Sequence, residues 1–309
     1  MTPAAAGGPA GRVLVTGAAG FLGAHCLPDL AARGFEVHAV SRSPREGAEA
    51  EWHRADLLDP AAARALVRDV RPSHLLHLAW ETTHGAFWSS PANLDWLAAS
   101  VHLVRAFAEA GGRRAVVAGT CAEYLWDDRV CDETTTPLEP ATLYGASKHA
   151  LHVALRGYAA TAGFDLAWGR VFLLHGPGEP PGRLVPSVAT AMLEARPAAC
   201  SHGRQVRDLM QVEDVAAGFG ALLASDVTGP VNVASGEPVT LAEVVGAIGE
   251  ITGHPELLRL GAIPASPDEP ARLVADVRRL RDEVGFTPRH DLREGLALTV
   301  RALREPVAR

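Results

Sequence analysis

Tyr144 and Lys148 are the pair of residues whose types and spacing could move a proton. Lys148 is the only lysine in a chain of 309 residues with 29 lysines and arginines, so the other 28 are arginine. An ordinary solvated site accepts arginine, and the survival of one lysine points to a task that a guanidinium cannot perform. Tyr144, one of only three tyrosines, stands four residues earlier. On a helix that spacing puts both side chains on one face, a turn apart. An ammonium beside a phenol favours the phenolate and lowers a pKa that starts near about 10. A tyrosine tuned in this way is a general acid/base. The compact ammonium also reaches a ribose hydroxyl, where a planar fork fits poorly. The competing reading is a chance Tyr-x-x-x-Lys on a helix surface, and the lone lysine weighs against it.

Such a pair needs a scaffold, and the N-terminal half of the chain supplies one. Residues 12–16 are a short apolar run, read as a buried strand, and Gly17-Ala-Ala19-Gly20-Phe21-Leu22-Gly23 follows directly. A helical pattern then runs to about Arg33. Strand, glycine turn and helix form the context of a dinucleotide site, because glycines let the backbone approach a pyrophosphate and the helix N-terminus offers free N–H groups. The spacing is G-x-x-G-x-x-G rather than G-x-G-x-x-G, so the match is one of physics and context. A second strand is expected over residues 36–41. Where an NAD site places an acid against the ribose 2′-hydroxyl, this chain has Ser41-Arg42, which suits a 2′-phosphate and favours NADP(H). An exposed loop arginine is the bland alternative.

The strand–helix alternation continues. A short strand leads into Asp56-Leu57, a helix covers residues 60–70, and a strand over 74–78 ends in His77-Leu78-Ala79-Trp80, where a cofactor would cross the sheet edge. Asp56 could bond an adenine amino group or cap a turn. A helix over residues 93–110 precedes a strand over 115–118 that delivers Gly119-Thr120 at its carboxyl end. The Thr120 hydroxyl could hold a substrate carbonyl beside Tyr144, or be an ordinary turn threonine. Further on, Thr240-x-x-Glu243 is a capping-box pattern opening a helix to about Thr252. Residues 264–270 read as a proline-rich loop and residues 291–303 as a terminal helix.

Composition bounds the function. Hydrophobic residues make up 48% and charged residues 21%, so the chain is globular, and a net charge of −7 leaves no basic footprint for nucleic acid. Cys26, Cys121, Cys131 and Cys200 are too scattered for a disulfide framework or a cysteine zinc site, and no metal is expected. They suit a reducing cytoplasm. Residues 1–11 read as a disordered tail rather than a signal peptide. No apolar run approaches the roughly 18–20 residues of a membrane span.

Taken together, Thr16-Gly-Ala-Ala-Gly-Phe-Leu-Gly23, the strand ending in Thr120 with Tyr124 four residues on, and Tyr144-x-x-x-Lys148 resemble the extended short-chain dehydrogenase/reductase family of nucleotide-sugar epimerases, dehydratases and reductases. Gly176-Pro177, Arg207-Asp-Leu209 with Val212-Glu-Asp214, Asn232-Val-Ala-Ser-Gly236 and Gly285-Phe-Thr-Pro288 agree with it. The resemblance implies an α/β fold: a Rossmann-like doubly wound parallel sheet over residues 12–170, parts of 205–235 returning to it, and a small C-terminal α/β substrate domain over 171–309. It implies Thr120, Tyr144 and Lys148 as the catalytic trio. Cofactor contacts would come from Gly17, Ala19, Gly20, Phe21, Leu22, Gly23, Ser41, Arg42, Asp56, Leu57, Leu78, Ala79, Trp80 and Val171, besides Tyr144 and Lys148. Substrate contacts would come from Glu81, Cys121, Arg183 and Arg207. A homodimer paired through residues 94–107 and 143–158 is also implied.

This chain departs from the family pattern at informative places. Dehydratases place an Asp-Glu or Ser-Glu pair directly after the catalytic threonine; here Cys121 and Ala122 stand there, and Glu123 is one place late. Leu173 replaces an asparagine near the diphosphate, His175 a tyrosine, and Ser100 an asparagine that supports the proton relay. The expected activity is an NADPH-dependent reductase of a nucleotide-linked keto-sugar. An epimerase that oxidises and re-reduces its substrate on a retained cofactor is the second reading, and a non-catalytic NADP-binding regulator is the third.

Overall fold

The computed structural model describes residues 11–266 and 269–305. Nearly all of the N-terminal segment read as a tail, residues 1–10, lies outside them, as do two residues of the proline-rich loop. The chain begins β1 (Gly11–Thr16), α1 (Phe21–Ala32), β2 (Phe35–Ser41), β3 (Glu51–Arg54), α2 (Pro60–Val70), β4 (His74–His77), α3 (Ala92–Glu109), β5 (Arg114–Thr120), α4 (Leu143–Ala162), β6 (Asp165–Val171). It continues β7 (Leu173–His175), α5 (Leu184–Leu193), β8 (Ala198–Ala199), β9 (Val206–Gln211), α6 (Val212–Ala224), β10 (Gly229–Val233), β11 (Pro238–Thr240), α7 (Leu241–Thr252), β12 (Leu258–Arg259), β13 (Arg272–Leu273), α8 (Leu292–Arg304).

Seven parallel strands form the main sheet in the order β10-β6-β5-β4-β1-β2-β3. The order runs outward in both directions from β1 and β4, and a crevice opens at that reversal, outside the strands' carboxyl ends. Strands buried on both faces need continuous apolar runs, which Val13-Leu14-Val15 and the fully buried β5 provide. One face packs on α1 and α6 around Leu30, Phe219 and Leu222, and the other on α2, α3 and α4 around Leu103, Phe107 and Leu155. The fold is therefore the expected Rossmann-like, doubly wound α/β architecture.

Local signals explain the helix bounds. Asp59 accepts from Ala61 N–H at 2.8 Å and Pro60 opens α2, a position where its missing N–H costs nothing. Thr142 caps α4 and Gly163, at φ +77°, ends it. Thr240 and Glu243 close the capping box of α7 as read from the sequence, and Asp291 with Glu294 does the same for α8. A smaller sheet, β11-β9-β13 with β7 beside β9, is separate from the main one. It packs near α5, α7 and α8, whose shared core contains Val188, Met192, Ile248 and Leu296. Of the 205–235 segment, α6 and β10 belong to the main sheet's layers while β9 belongs to the smaller sheet.

Candidate active site

A cleft of about 1120 Å³ runs from the glycine turn, past Tyr144, to the smaller sheet. Its size accommodates two ligands end to end, since a single drug-sized site occupies roughly 300–1,000 Å³.

The glycine turn forms one end. A Cβ on Gly17, at φ +68°, would stand 2.7 Å from the Ala79 nitrogen, and one on Gly23 would stand 2.1 Å from the Gly17 carbonyl oxygen. The turn is thus pressed against both the end of β4 and the first turn of α1. Gly20 is the N-cap of α1 and no side chain caps it, whereas side chains cap α2, α4, α6, α7 and α8. The free N–H groups and the positive end of the helix dipole therefore face the cleft, an arrangement that fits a pyrophosphate. Behind the turn, Thr16 Oγ1 accepts from the N–H groups of Leu78 and Ala79, both at 3.2 Å, tying β1 to the end of β4. Ser41, Arg42, Asp56 and Leu57 line the adjacent wall. Asp56 also accepts from Leu58 N–H at 3.1 Å, so it does cap its turn.

Tyr144 and Lys148 both face the middle of the cleft from α4, as their spacing requires. Lys148 is buried, donates to the Ala118 carbonyl at 2.8 Å and lies 3.9 Å from the Trp80 ring centroid. Burial pushes its pKa down to about 7. The Tyr144 ring meets the edges of Phe87 and Trp88 at 4.9 and 5.8 Å, and its backbone N–H donates to the Trp88 carbonyl. Burial raises the Tyr144 phenol above its ordinary value, with the Thr120 hydroxyl pulling it back. The expectation that the ammonium holds this phenol low is therefore not met in the ligand-free protein. Desolvation dominates, and the ammonium is engaged by a carbonyl and an aromatic face. Thr120 lines the cleft at the end of β5, where its side chain accepts from Ala122 N–H at 3.2 Å.

The residues after Thr120 turn away from solvent. Cys121 reaches the cleft as a neutral thiol, its pKa pushed up to about 12 by burial. Glu123 is fully buried: it accepts from Thr120 N–H at 2.9 Å and Trp168 Nε1 at 2.8 Å, and pairs with Arg170 Nε at 3.1 Å. It does point elsewhere, into the sheet. Tyr124 is buried beside it and donates to Asn232 at 2.7 Å. Ser100 is buried too, donating to the Trp96 carbonyl at 2.7 Å and bonded to His77 at 2.8 Å. His175 packs 3.4 Å from Thr299 Oγ1, outside the cleft.

The far end is made of side chains. Arg207 lines it but is 3% exposed and donates to Glu269 at 2.6 Å. Arg183 stands 5.6 Å from the Phe87 ring and is the N-cap of α5, a second helix with no side-chain cap whose first turn lines the cleft. Val171 lines the wall between the two ends. Every residue put forward from the sequence lines the cleft except Glu81, which stands at its margin and accepts from Thr83 N–H at 2.8 Å. The Thr83 hydroxyl, with that N–H, holds its carboxylate low.

Sequence reasoning missed the aromatic wall of Phe87, Trp88 and Trp126, and two acids, Glu179 and Glu269. Burial pushes Glu179 up to about 8, against the pull of Arg183. The tryptophans offered a signal in their clustering at positions 80, 88 and 96. Nothing local marks Glu269, which lies 62 positions from its partner Arg207. Among the described residues, no helix is long and apolar enough to cross a membrane.

Comparison with known proteins adds to this geometry. Residues 13–234 match the family described as "NAD dependent epimerase/dehydratase family". A UDP-glucose 4-epimerase of Streptomyces lividans is 30% identical over 312 residues, covering 90% of this chain and 92% of the relative. A dTDP-4-dehydro-6-deoxy-D-allose reductase of Streptomyces bikiniensis is 29% identical over 320 residues, covering 96% of this chain and 97% of the relative. The crystal structure of the UDP-glucose 4-epimerase of Thermus thermophilus, a complex with NAD, superposes with a TM-score of 0.85 at 28% identity, covering 96% of this chain and 100% of that one. The chain belongs to the NAD-dependent epimerase/dehydratase family and is an NAD(P)-dependent enzyme of the extended short-chain dehydrogenase type.

Proposed function

We propose that this enzyme is an NADPH-dependent reductase of a nucleotide-linked keto-sugar, of the 4-keto-6-deoxyhexose class. The observation that carries the reading is the end of β2: Ser41-Arg42 lines the cleft where a carboxylate would meet a ribose 2′-hydroxyl. A guanidinium and a hydroxyl accept a 2′-phosphate, the mark of the cofactor pool that cells keep reduced. Cys121 and Ala122 agree, because neither can eliminate water, so the keto-sugar is made before it arrives. The allose reductase relative gives the substrate class, with its printed substrate belonging to that protein alone.

The chain's residues divide the work. Gly17, Gly20 and Gly23 hold the pyrophosphate on the N-terminus of α1. NADPH held there would supply the hydride that reduces the ketone carbon. Thr120 and Tyr144 hold the ketone oxygen between their hydroxyls, and Tyr144 Oη delivers the proton. Lys148, set near neutrality by burial, binds a ribose hydroxyl and, when charged, stabilises the phenolate left after proton delivery, which solvent then reprotonates to the phenol. Arg207, Arg183 and the uncapped start of α5 take the sugar nucleotide's diphosphate. Glu179, protonated at neutral pH, offers a donor to a sugar hydroxyl. Phe87 and Trp88 exclude water around the phenol. The same reading makes the chain a homodimer through α3 and α4, which expose Leu94 and Val153.

An epimerase using a retained cofactor is the second reading, favoured by the UDP-glucose 4-epimerase relatives. Stoichiometry separates the two. With NADPH and a dTDP-linked 4-keto-6-deoxyhexose, the reductase consumes one NADPH per product, followed at the NADPH absorbance band. Product formed with no net NADPH loss contradicts the proposal.

A further inference from the structure

Two Glu-x-His pairs stand on neighbouring parallel strands at the edge of the main sheet, Glu36-Val-His38 on β2 and Glu51-Trp-His53 on β3. The register pairs His38 with Glu51 and Val40 with His53. Side chains alternate along a strand, so all four polar groups emerge on one face. His38 Nδ1 is 2.8 Å from His53 Nε2, with Glu51 Oε2 3.8 Å from His38 Nδ1 and Glu51 Oε1 3.8 Å from His53 Nε2. The geometry points to a binding site for a zinc-like divalent cation, with His38, Glu51 and His53 as its three protein ligands.

Bond lengths support this. Zinc bonded at about 2.0–2.2 Å to nitrogen and oxygen, in tetrahedral geometry, spaces its ligand atoms roughly 3.3–3.5 Å apart. The three separations here fall on either side of that value, and cation entry asks only that the two imidazoles part slightly. The ligand set, two imidazoles and one carboxylate, suits zinc and its first-row neighbours rather than magnesium or calcium.

The surrounding groups prepare the nitrogens. Glu36 Oε1 lies 3.0 Å from His38 Nε2. An acceptor carboxylate there requires His38 to carry its proton on Nε2, which leaves the Nδ1 lone pair facing the site. This is the carboxylate–histidine arrangement that orients metal ligands. In the cation-free protein that lone pair accepts from His53 Nε2–H. Among the described residues Glu51 pairs with no arginine, whereas Arg12 balances Glu36 and Arg68 balances Asp69.

A second Glu/His cluster, Glu123 with His149 and His152, shows what a closed set looks like. Glu123 there already serves Arg170, Trp168 and the Thr120 N–H. At β2–β3 the Glu51 side chain is 67% exposed and makes no shorter bond, so it is free to swing onto a cation. None of the three ligands lines the cleft, which makes the site a clamp of β3 onto β2 rather than a catalytic centre.

The test is metal binding to the untagged, EDTA-treated full chain. Calorimetry with Zn²⁺ should give one site per chain, and Co²⁺ should show the intense visible d–d bands of tetrahedral coordination. His53→Gln and Glu51→Gln should each weaken Zn²⁺ at least tenfold and abolish the Zn²⁺-induced rise in Tm. Glu36→Gln should weaken it by about 10–100-fold without removing a ligand. Glu51 is exposed, so its substitution leaves the fold intact and the result readable. Mg²⁺ should leave Tm unchanged. Absence of saturable Zn²⁺ binding, or binding indifferent to both His53→Gln and Glu51→Gln, would overturn the assignment.

Discussion

The two ends of the cleft are built from different materials. The glycine end is backbone: Gly17 and Gly23 leave no room for a Cβ, and α1 presents bare N–H groups. The far end is side chain: Arg207 is locked to Glu269, Arg183 sits by Phe87, and Glu179 is held neutral. A backbone site is complete once the chain folds and suits the invariant part of a cofactor. A side-chain site changes with each substitution, and its groups satisfy one another until a ligand arrives. Between the two stand Tyr144 and Lys148, each perturbed by burial and each awaiting a partner from one end.

The largest expected effect falls at that junction. Tyr144→Phe removes the proton and little else, so turnover should drop about 10²–10⁴-fold while NADPH affinity holds within a factor of about two. Stopped-flow turnover with fluorescence titration of NADPH checks this, and a variant keeping half the wild-type rate would dissociate Tyr144 from the chemistry. Next comes the cofactor end. Arg42→Ala should weaken NADPH by about 1.5–3 kcal/mol, the range for a hydrogen bond to a charged group, and leave NADH almost unaffected. Equal wild-type affinity for the two cofactors would break the assignment of Ser41-Arg42.

Lys148 gives a pH-dependent effect that is smaller at each pH unit. Its folded pKa of about 7 lies below the unfolded value near about 10.4. Between these values the unfolded chain holds a proton that the folded one has released, so this residue makes stability rise with pH. Below about 7 it is charged in both states and its contribution is flat. The wild type minus Lys148→Met difference in unfolding free energy, measured without cofactor, should therefore climb by roughly 1 kcal/mol per pH unit from 7 to 10. A flat difference would mean the ammonium is not desolvated. Smallest is the substrate end. Glu269→Gln frees Arg207 for phosphate and should tighten sugar-nucleotide binding about fivefold, near 1 kcal/mol, by calorimetry. Weaker binding would make Glu269 itself a ligand contact.

The same contrast governs what could be read from the sequence. Backbone sites have short-range signatures: Gly17, Gly20 and Gly23 lie within seven residues, and the helix bounds at Asp59-Pro60 and Thr240-x-x-Glu243 are local chemistry. Tyr144 and Lys148 were legible through spacing, and Thr120 through its place at a strand end. Their protonation was not, because desolvation depends on Trp80, Phe87 and Trp88, which arrive from another loop. Long-range pairs were also hidden. Arg207 with Glu269, Tyr124 with Asn232 and Arg170 with Glu123 span 62, 108 and 47 positions. The Glu-x-His pairs went unread, because only the β2–β3 register sets them side by side.

The most direct test follows one atom. NADPH carrying deuterium at both C4 positions of its nicotinamide, incubated with a dTDP-linked 4-keto-6-deoxyhexose, should give product one mass unit heavier, with the deuteron on the former ketone carbon. Mass spectrometry of the product reads it at a single turnover. Product bearing no deuterium while the labelled NADPH stays unconsumed, with the enzyme instead interconverting 4-hydroxy epimers that keep their own C4 hydrogen, would contradict the reductase.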